Sequence, residues 1–287
     1  GANAVNGVIN IITKSAHETQ DTIATAAYGT PGGDVAARHG GAFKGGHYRI
    51  YAHGFERENF SRPAGGSASD DWSGGQSGFR ADWGSDFTFQ GDVYRVLSDQ
   101  MNATPTSVAP FSVTEKETIG SYGANLLARW NADTSNGSKW MVQSYLDYKS
   151  RDQVLLNDRR VTFDVETQYN LSPFTYDEIT LGGGYRYVMD DLKGEPYINF
   201  SPDSRQDDIV SFFVQDKIAI SPNKLFLTLG SKFEHNDYTG FEAQPNARLQ
   251  WHIDQSQSAW AAVSRAVRTP SRLESDLTYR TGSIDRK

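Results

Sequence analysis

The feature that most constrains the fold is an alternation of apolar and polar residues that recurs along most of the chain. In residues 86–95, Phe87 and Phe89 fall on one face of an extended chain, and Thr88 and Gln90 fall on the other. A period of two is that of a β-strand with one apolar and one polar face. The same pattern occurs in residues 48–55, 139–148, 161–166, 225–234 and 246–252. Strands of about 8–12 residues are long enough to cross a bilayer obliquely.

The connections between these segments predict an up-and-down arrangement. Short polar turns occur at residues 44–46, 84–85, 132–138, 170–173, 221–224 and 253–257. Longer connections separate them, at residues 56–71, 96–118, 149–158, 188–206 and 236–242. Strict alternation of tight turns and long loops is typical of an antiparallel transmembrane β-barrel with short periplasmic turns and long outer loops. We therefore predict an all-β, up-and-down transmembrane barrel.

The number of strands predicts that this barrel is incomplete. The pattern fits about thirteen strands, whereas a bacterial single-chain barrel has an even number. The first residues show neither the basic region nor the apolar core of a signal peptide. We therefore expect a chain that lacks sequence at both ends. Its structure should be one curved antiparallel sheet with exposed terminal edges.

The composition agrees with an ordered β-protein and excludes several other classes. Of the 287 residues only 37% are hydrophobic, yet 12% are aromatic, which is atypical of disordered chains. No stretch approaches the roughly 18 apolar residues of a membrane helix. The absence of Cys excludes a disulfide framework and a thiolate metal site. A net charge of −7 with scattered basic residues argues against nucleic acid as a partner.

The positions of the tryptophans indicate whether the sheet is surrounded by lipid or by water. Five of the six lie beside the short turns, namely Trp83, Trp130, Trp140, Trp251 and Trp260. An indole prefers the membrane boundary, where its ring lies in hydrocarbon and its N–H reaches polar groups. We predict that these five rings form an aromatic girdle at the periplasmic interface. The alternative is a soluble sandwich, in which Trp would favour the middle of strands.

The first sixteen residues differ from the rest of the chain and carry its most specific motif. The stretch Gly-Ala-Asn-Ala-Val-Asn-Gly-Val-Ile-Asn-Ile-Ile-Thr-Lys-Ser-Ala contains a nearly continuous apolar strand, as expected for one buried on both faces. It closely resembles the end of the plug domain of TonB-dependent outer-membrane receptors. Two later stretches, residues 211–217 and 263–273, are similar to barrel segments of the same family.

The resemblance implies a domain division and a function. Residues 1–16 would be the end of the plug domain, and residues 17–287 would be the N-terminal part of the barrel, with its first strand at residues 21–28. Family barrels have about 22 strands, so the chain would be a little over half of one. The implied activity is import of a scarce ligand, such as a ferric siderophore or another metal complex, across the bacterial outer membrane. The implied partner is TonB with its inner-membrane complex, the polypeptide needs no cofactor, and the barrel is monomeric.

Ligand contacts are expected in the long outer connections. These carry aromatic and cationic candidates, namely Phe60, Arg62, Trp72, Phe111, Tyr197 and Phe200. Such side chains suit an anionic, aromatic iron chelate through cation–π and charge-assisted contacts. They suit the edges of a sugar or of a cobalamin equally well, so the ligand stays open at this point.

Other chemistries find less support in the sequence. The six His form no helical i,i+4 pair and have no Cys partner, so we predict no metal site and attribute them to wall polarity. Gly182, Gly183 and Gly184 lie inside a strand pattern, where relief of curvature explains them better than a phosphate loop does. Residues 203–208 lack the Gly and the closing Glu of a calcium loop. No Ser/His or Asp/His set stands out, so we predict that the protein is not an enzyme. A plugless passive porin or an adhesive barrel is the alternative function.

Overall fold

The fold is dominated by one large antiparallel sheet. The computed structural model describes residues 11–63, 65–106, 108–194, 198–281 and 284–286. Most of the predicted plug remnant, residues 1–10, lies outside the described residues. The sheet has thirteen strands, which are β1 (Asp21–Gly29), β2 (Gly32–Phe43), β3 (Gly46–Arg57), β4 (Trp72–Trp83), β5 (Phe87–Pro105), β6 (Ser112–Asp133), β7 (Lys139–Asp152), β8 (Leu156–Leu171), β9 (Asp177–Gly194), β11 (Ser204–Ser221), β12 (Leu225–Asn236), β13 (Gly240–His252) and β14 (Ser258–Ser264).

Three short strands form a separate small sheet. They are β10 (Ile198–Phe200), β15 (Leu277–Thr281) and β16 (Ile284–Arg286). Because β10 leaves the large sheet, β9 pairs directly with β11. The only helical elements among the described residues are a 3₁₀ turn, His17–Thr19, and a single α-helical turn α1, Arg272–Ser275. No helix in the described part of the chain is long and apolar enough to span a membrane.

Every strand of the large sheet pairs antiparallel with the strands that precede and follow it in the sheet. The order runs from β1 to β14 without a crossover, and within the described residues β1 and β14 do not pair with each other. The predicted up-and-down sheet with open edges is therefore confirmed. The predicted first strand is also confirmed, since β1 begins at Asp21.

The strand register separates the two faces as the alternation predicts. Along the middle of the sheet, Phe79, Gly91, Leu126, Leu146 and Phe163 follow one another as cross-strand partners on one face. Leu126 and Leu146 are 44% and 46% exposed, so none of the described residues covers this part of the apolar face. The opposite face carries the polar residues and also the segment that precedes β1. We call the polar face the inner face and the apolar face the outer face.

The chain has almost no hydrophobic core of its own. Among the described residues only Ala16, Ile119, Leu192 and Phe200 are buried apolar residues. A soluble sandwich would bury Phe87 and Trp251 between two sheets, but these side chains are 36% and 51% exposed. A contiguous apolar surface of this kind marks contact with a lipid or with another protein.

The predicted strict alternation of short and long connections is wrong for several of the connections that were predicted to be long. Residues 96–118 do not form a loop, because β5 and β6 stay paired as far as Pro105 and Ser112. Only residues 153–155 separate β7 from β8, and only residues 237–239 separate β12 from β13. Continued pairing satisfies backbone N–H and C=O groups even where the apolar alternation has ended. The strands therefore extend well past the apolar band, and periodicity alone does not reveal their ends.

Candidate functional site: the inner face of the sheet

The segment before β1 docks on the inner face beside the short turn that joins β4 to β5. The backbone N–H of Ala16 donates a hydrogen bond of 2.6 Å to Oδ2 of Asp82, and both residues are buried. Asp82 is the second-last residue of β4, and the pleat directs its side chain inward. The same carboxylate accepts bonds from Arg80 Nε at 2.8 Å and from Thr88 Oγ1 at 2.7 Å. A buried carboxylate with these three donors is a rigid anchor for the entering chain.

Two arginines of the inner face extend this anchor toward the N-terminus. Arg49 donates a 2.6 Å hydrogen bond to the backbone carbonyl of Lys14, and Arg80 donates a 3.2 Å bond to Thr13 Oγ1. The rings of His17 and His47 meet edge to face at 4.7 Å on the same surface. These contacts reach both the backbone and the side chains of the segment, and together they hold it against the inner face.

The middle of the inner face holds charges of both signs in paired form. Arg186 bonds Asp164 at 2.8 Å from Nε to Oδ2, and its guanidinium lies 6.0 Å from the Tyr145 ring centre. On β12 of the same face, Lys232 Nζ pairs with Glu234 Oε2 at 2.7 Å. These two ion pairs make this part of the wall polar without adding net charge.

The inner face near the ends of the long strands is covered by a segment of the chain, residues 268–276, which we call the strap. Arg272 holds the strap against the sheet, and its side chain is only 6% exposed. Its guanidinium pairs with Asp276 Oδ2 at 2.5 Å and with Asp190 Oδ2 of β9 at 3.3 Å. It also donates to the backbone carbonyl of Pro202 at 2.6 Å and lies 5.8 Å from the Phe200 ring centre. One side chain thus joins the strap, β9 and the segment around β10.

A capping box holds the strap in shape. The backbone N–H of Ser271 donates to Glu274 Oε2 at 2.9 Å, and Glu274 also pairs with Arg268. These contacts lower the pKa of Glu274 to about 2, first through the Arg268 side chain and then through the Ser271 N–H. The strap is therefore locally ordered by its own sequence as well as by Arg272.

A cavity of about 370 Å³ lies between the strap and the upper inner face. Its wall includes Asp190, Phe200, Asp207 and Tyr238. The Arg205 guanidinium lies 4.1 Å from the Tyr238 ring centre, and the Tyr238 hydroxyl donates to Asp207 Oδ2 at 3.2 Å. Burial, together with the Asp207 carboxylate, raises the pKa of Tyr238 to about 12. This tyrosine therefore stays a neutral hydrogen-bond donor at physiological pH.

The predicted ligand contacts are not brought together in one place. Phe60 and Arg62 lie in the exposed connection before β4, and Phe111 lies at the tip of the next hairpin, 67% exposed. Trp72 begins β4 and packs against Phe55 with 4.8 Å between the ring centres. Tyr197 lies outside the described residues.

Phe200 differs from the prediction of an accessible loop residue. It is only 7% exposed, because β10 folds back under the strap. Sequence reasoning missed Arg272, Asp190, Arg205, Asp207 and Tyr238. The only signal was the stretch 263–273, which suggested a family segment but not that Arg272 is buried.

Four of the five tryptophans of the predicted girdle share the outer face. Trp83 and Trp130 lie on one row through Phe87, and Trp140 and Trp251 lie near the short turns of β7 and β13. Trp260 does not belong with them. It pairs with Gln250, and the Arg248 guanidinium lies 5.5 Å from its ring centre, so it lies on the inner face. Adjacency to a turn did not reveal this, because it does not say on which face of the strand a residue lies.

No group of three or more His, Cys, Asp or Glu residues in the described part of the chain could hold a metal ion. The inner-face contacts described above are hydrogen bonds, ion pairs and aromatic contacts. These interactions suit binding and docking.

Comparison with known proteins places this architecture among receptors. The family described as TonB dependent receptor-like, beta-barrel matches residues 13–283. No curated protein matches the chain. Among solved structures, the siderophore receptor PirA of Pseudomonas aeruginosa is similar, with 17% identity and a TM-score of 0.68 over 94% of this chain and 47% of that one. A variant of the ferric enterobactin receptor PfeA of the same organism is 16% identical, with a TM-score of 0.68 over 94% of this chain and 47% of that one.

A third similar structure is the FrpB iron transporter of Neisseria meningitidis. It is 10% identical, with a TM-score of 0.68 over 94% of this chain and 55% of that one. The chain thus spans about half the length of these structures. At such identities the likeness establishes the fold alone.

Proposed function

Because this chain belongs to the TonB-dependent receptor-like β-barrel family, we propose that the protein actively imports a scarce ligand across the bacterial outer membrane. The proposed ligand is a ferric siderophore or a comparable metal complex. The proposed energy source is TonB, driven by the inner-membrane proton gradient. The similar structures are named as receptors and a transporter rather than as enzymes, which supports a transport role.

The docking of the Ala16 segment on Asp82 is the observation that carries this proposal. A passive pore needs an open lumen, whereas an energised importer needs a stopper that enters the barrel and is held by contacts that can be released. The anchor of Asp82, Arg80 and Arg49 fixes where the chain enters the inner face. Residues 1–16 would then be the end of this stopper, and residues 17–287 part of the wall.

The outer face supports the proposed membrane location. Its apolar side chains remain exposed, and the rings of Trp83, Trp130, Trp140 and Trp251 lie near the short turns, where an interfacial girdle is expected. Lipid would cover these surfaces. The short turns would then face the periplasm, and the long hairpins would face outward.

Ligand capture would fall to the outer hairpins and the cavity beneath the strap. Phe60, Arg62, Trp72, Phe111 and Tyr197 are the proposed contacts, and Phe200 would join them only if the strap moves.

Uptake of radioactive iron tests the proposal. The full-length protein would be expressed in a host that lacks its own siderophore receptors, in matched strains with and without TonB. We expect iron uptake from at least one ferric chelate in a panel of hydroxamate and catecholate siderophores, and we expect that uptake to require TonB. Equal uptake in both strains would instead support a passive porin. Cell binding without any uptake in either strain would support an adhesive barrel.

A further inference from the structure

The part of the sheet beneath the strap has more carboxylates than cations. The cavity there is lined by four aspartates, namely Asp158, Asp190, Asp207 and Asp237. The cationic side chain that the sheet contributes to this lining is Arg160. A second arginine beside the cavity, Arg205, already pairs with Asp207 at 2.6 Å. Without the strap, this wall therefore carries a net negative charge.

The unsatisfied carboxylates lie on β8 and β9. Arg160 is the strand partner of Asp190, and its Nη2 lies 3.9 Å from Asp190 Oδ2 and also 3.9 Å from Asp158 Oδ1. Both distances are too long for hydrogen bonds. The Asp190 side chain is only 2% exposed, and its Oδ1, like Oδ1 of Asp158, is buried without a hydrogen-bond partner. A buried carboxylate of this kind is unfavourable unless a further cation pairs with it.

The strap supplies such a cation from within the chain. Arg272 Nε lies 3.3 Å from Asp190 Oδ2, and its guanidinium lies 5.8 Å from the Phe200 ring centre. A carboxylate together with an aromatic ring is an arrangement that binds organic cations. No three His, Cys, Asp or Glu side chains of the described residues are placed to hold a metal ion. Arg272 thus occupies an organic-cation site in the way that a bound ligand would.

The contacts that hold the strap can be replaced by a competitor. Asp276 of the strap pairs with Arg205 at 3.3 Å, and Arg272 pairs with Asp190 of β9. Buried ion pairs contribute little net stability, because the separated charges are hydrated instead. The docked strap also leaves the two Oδ1 atoms without hydrogen bonds, which costs free energy. A second cation that binds the wall more tightly would therefore displace the strap.

We propose that the strap is a lid and that Arg272 is an internal competitor for a ligand that carries an organic cation, namely a guanidinium or a primary ammonium. This inference rests on the proposed function and specifies one property of the imported metal complex. The cationic arm of the complex would replace Arg272 at Asp190 and enter the cavity of about 370 Å³. Release of the strap would also uncover Phe200, which would then contact the arm.

Binding of two matched probes to the purified full-length protein tests the ligand class. One probe is a linear ferric trihydroxamate that ends in a primary ammonium, and the other is the same chelate acetylated at that nitrogen. Acetylation removes the positive charge and leaves the iron-binding groups unchanged. We expect the ammonium form to bind about tenfold more tightly, because its contact with the carboxylate is charge-assisted. Equal affinities, or tighter binding of the acetylated form, would overturn the inference.

Two variants should change the affinity for the ammonium probe in opposite directions. D190N keeps the shape of the side chain and removes its charge, so the preference for the ammonium form should be lost. R272Q removes the competitor, and the affinity should rise about tenfold if the strap is closed in about nine of ten wild-type molecules. The control K193Q removes an exposed cation near the same end of β9 and should change neither affinity. Weaker binding by R272Q as well as by D190N would show that Arg272 only holds the fold.

Movement of the strap can be measured by hydrogen exchange. The Ser201 amide donates to the Asp276 carbonyl at 2.9 Å, so its exchange should become faster when the ammonium probe binds and should not change with the acetylated probe. Unchanged exchange at Ser201 with the ammonium probe bound would contradict the lid. The proposed function fails separately, because uptake that does not need TonB would contradict active import, whereas the two affinities are measured without TonB.

Discussion

The ring of Phe213 on β11 lies over Gly182 on β9, its direct partner across the two strands, so closely that a Cβ atom at position 182 would overlap the ring. The backbone oxygen of Thr167 closes the other side of that space. Tyr51 and Tyr94 cover Gly78 and Gly123, their own strand partners, in the same way. On the inner face, an aromatic ring thus fills the space left by a glycine and excludes water from the backbone there.

Replacement of Gly182 by Val should destabilise the barrel. The added side chain would force Phe213 from its position, and overpacking of this kind costs about 1–3 kcal/mol of unfolding free energy. Urea unfolding of the full-length protein in detergent measures the change. The control is Gly183→Ala, because a Cβ there meets nothing closer than the Ser211 carbonyl oxygen at 3.3 Å. Equal effects of the two substitutions would contradict the assigned role of Phe213.

Replacement of Asp82 by Ala should release the N-terminal segment and leave the strands paired. The Ala16 N–H and the Arg80 guanidinium would lose a buried anionic partner, a loss that costs about 3–5 kcal/mol. Hydrogen exchange at Ala16 should therefore become faster, with the amides in the centre of β4 unchanged. The exposed turn variant Asp86→Ala should leave exchange at Ala16 as in the wild type. Slow exchange at Ala16 in both variants would show that Asp82 is not the anchor.

Replacement of Arg272 by Leu should free the strap from β9. The substitution keeps some of the side-chain volume, but it leaves Asp190 without its close cation and frees the carbonyl of Pro202. Protection of the Ser201 amide, which donates to the Asp276 carbonyl at 2.9 Å, reports on the strap and should fall. Lys193→Leu removes an exposed charge near the same end of β9 and should leave that protection in place.

The strap should loosen in acid. The pKa of Glu274 is lowered from 4.5 to about 2 by Arg268 and by the Ser271 N–H. A lowered pKa in the folded state means that the contribution of Glu274 is fully present above pH 4.5 and is lost as the pH falls toward 2. Amide protection at Ser275 and Asp276 should decline across that window. Glu274→Gln should remove this pH dependence, and a decline of the same size in that variant would attribute it to another group.

The tryptophans should divide into two groups in a membrane. Variants that retain a single Trp, with Phe at the other five positions, would be reconstituted with brominated lipids that quench fluorescence on contact. Trp130 on the outer face should be quenched strongly, and Trp260 on the inner face should be quenched weakly. Strong quenching of Trp260 would mean that the strand register at β14 does not set its environment.

Much of the sheet could be predicted because the information is local. The alternation around Phe87 predicted β5, and the turn at Gly45 predicted the hairpin of β2 and β3. The ends of the long hairpins could not be predicted. Past Leu97 the apolar alternation stops, yet pairing continues to Pro105, because backbone hydrogen bonds need no particular side chain.

The amino-acid sequence alone determined where the central part of most strands lies and which face of each strand is apolar. The alternation of residues within one strand determines which of its faces is apolar, and this does not depend on the neighbouring strands. Tertiary structure decided the contacts between distant segments, such as Ala16 on Asp82 and Arg272 on Asp190. Each depends on the register of several strands at once, and a displacement of one residue in any of them would turn the side chain to the other face.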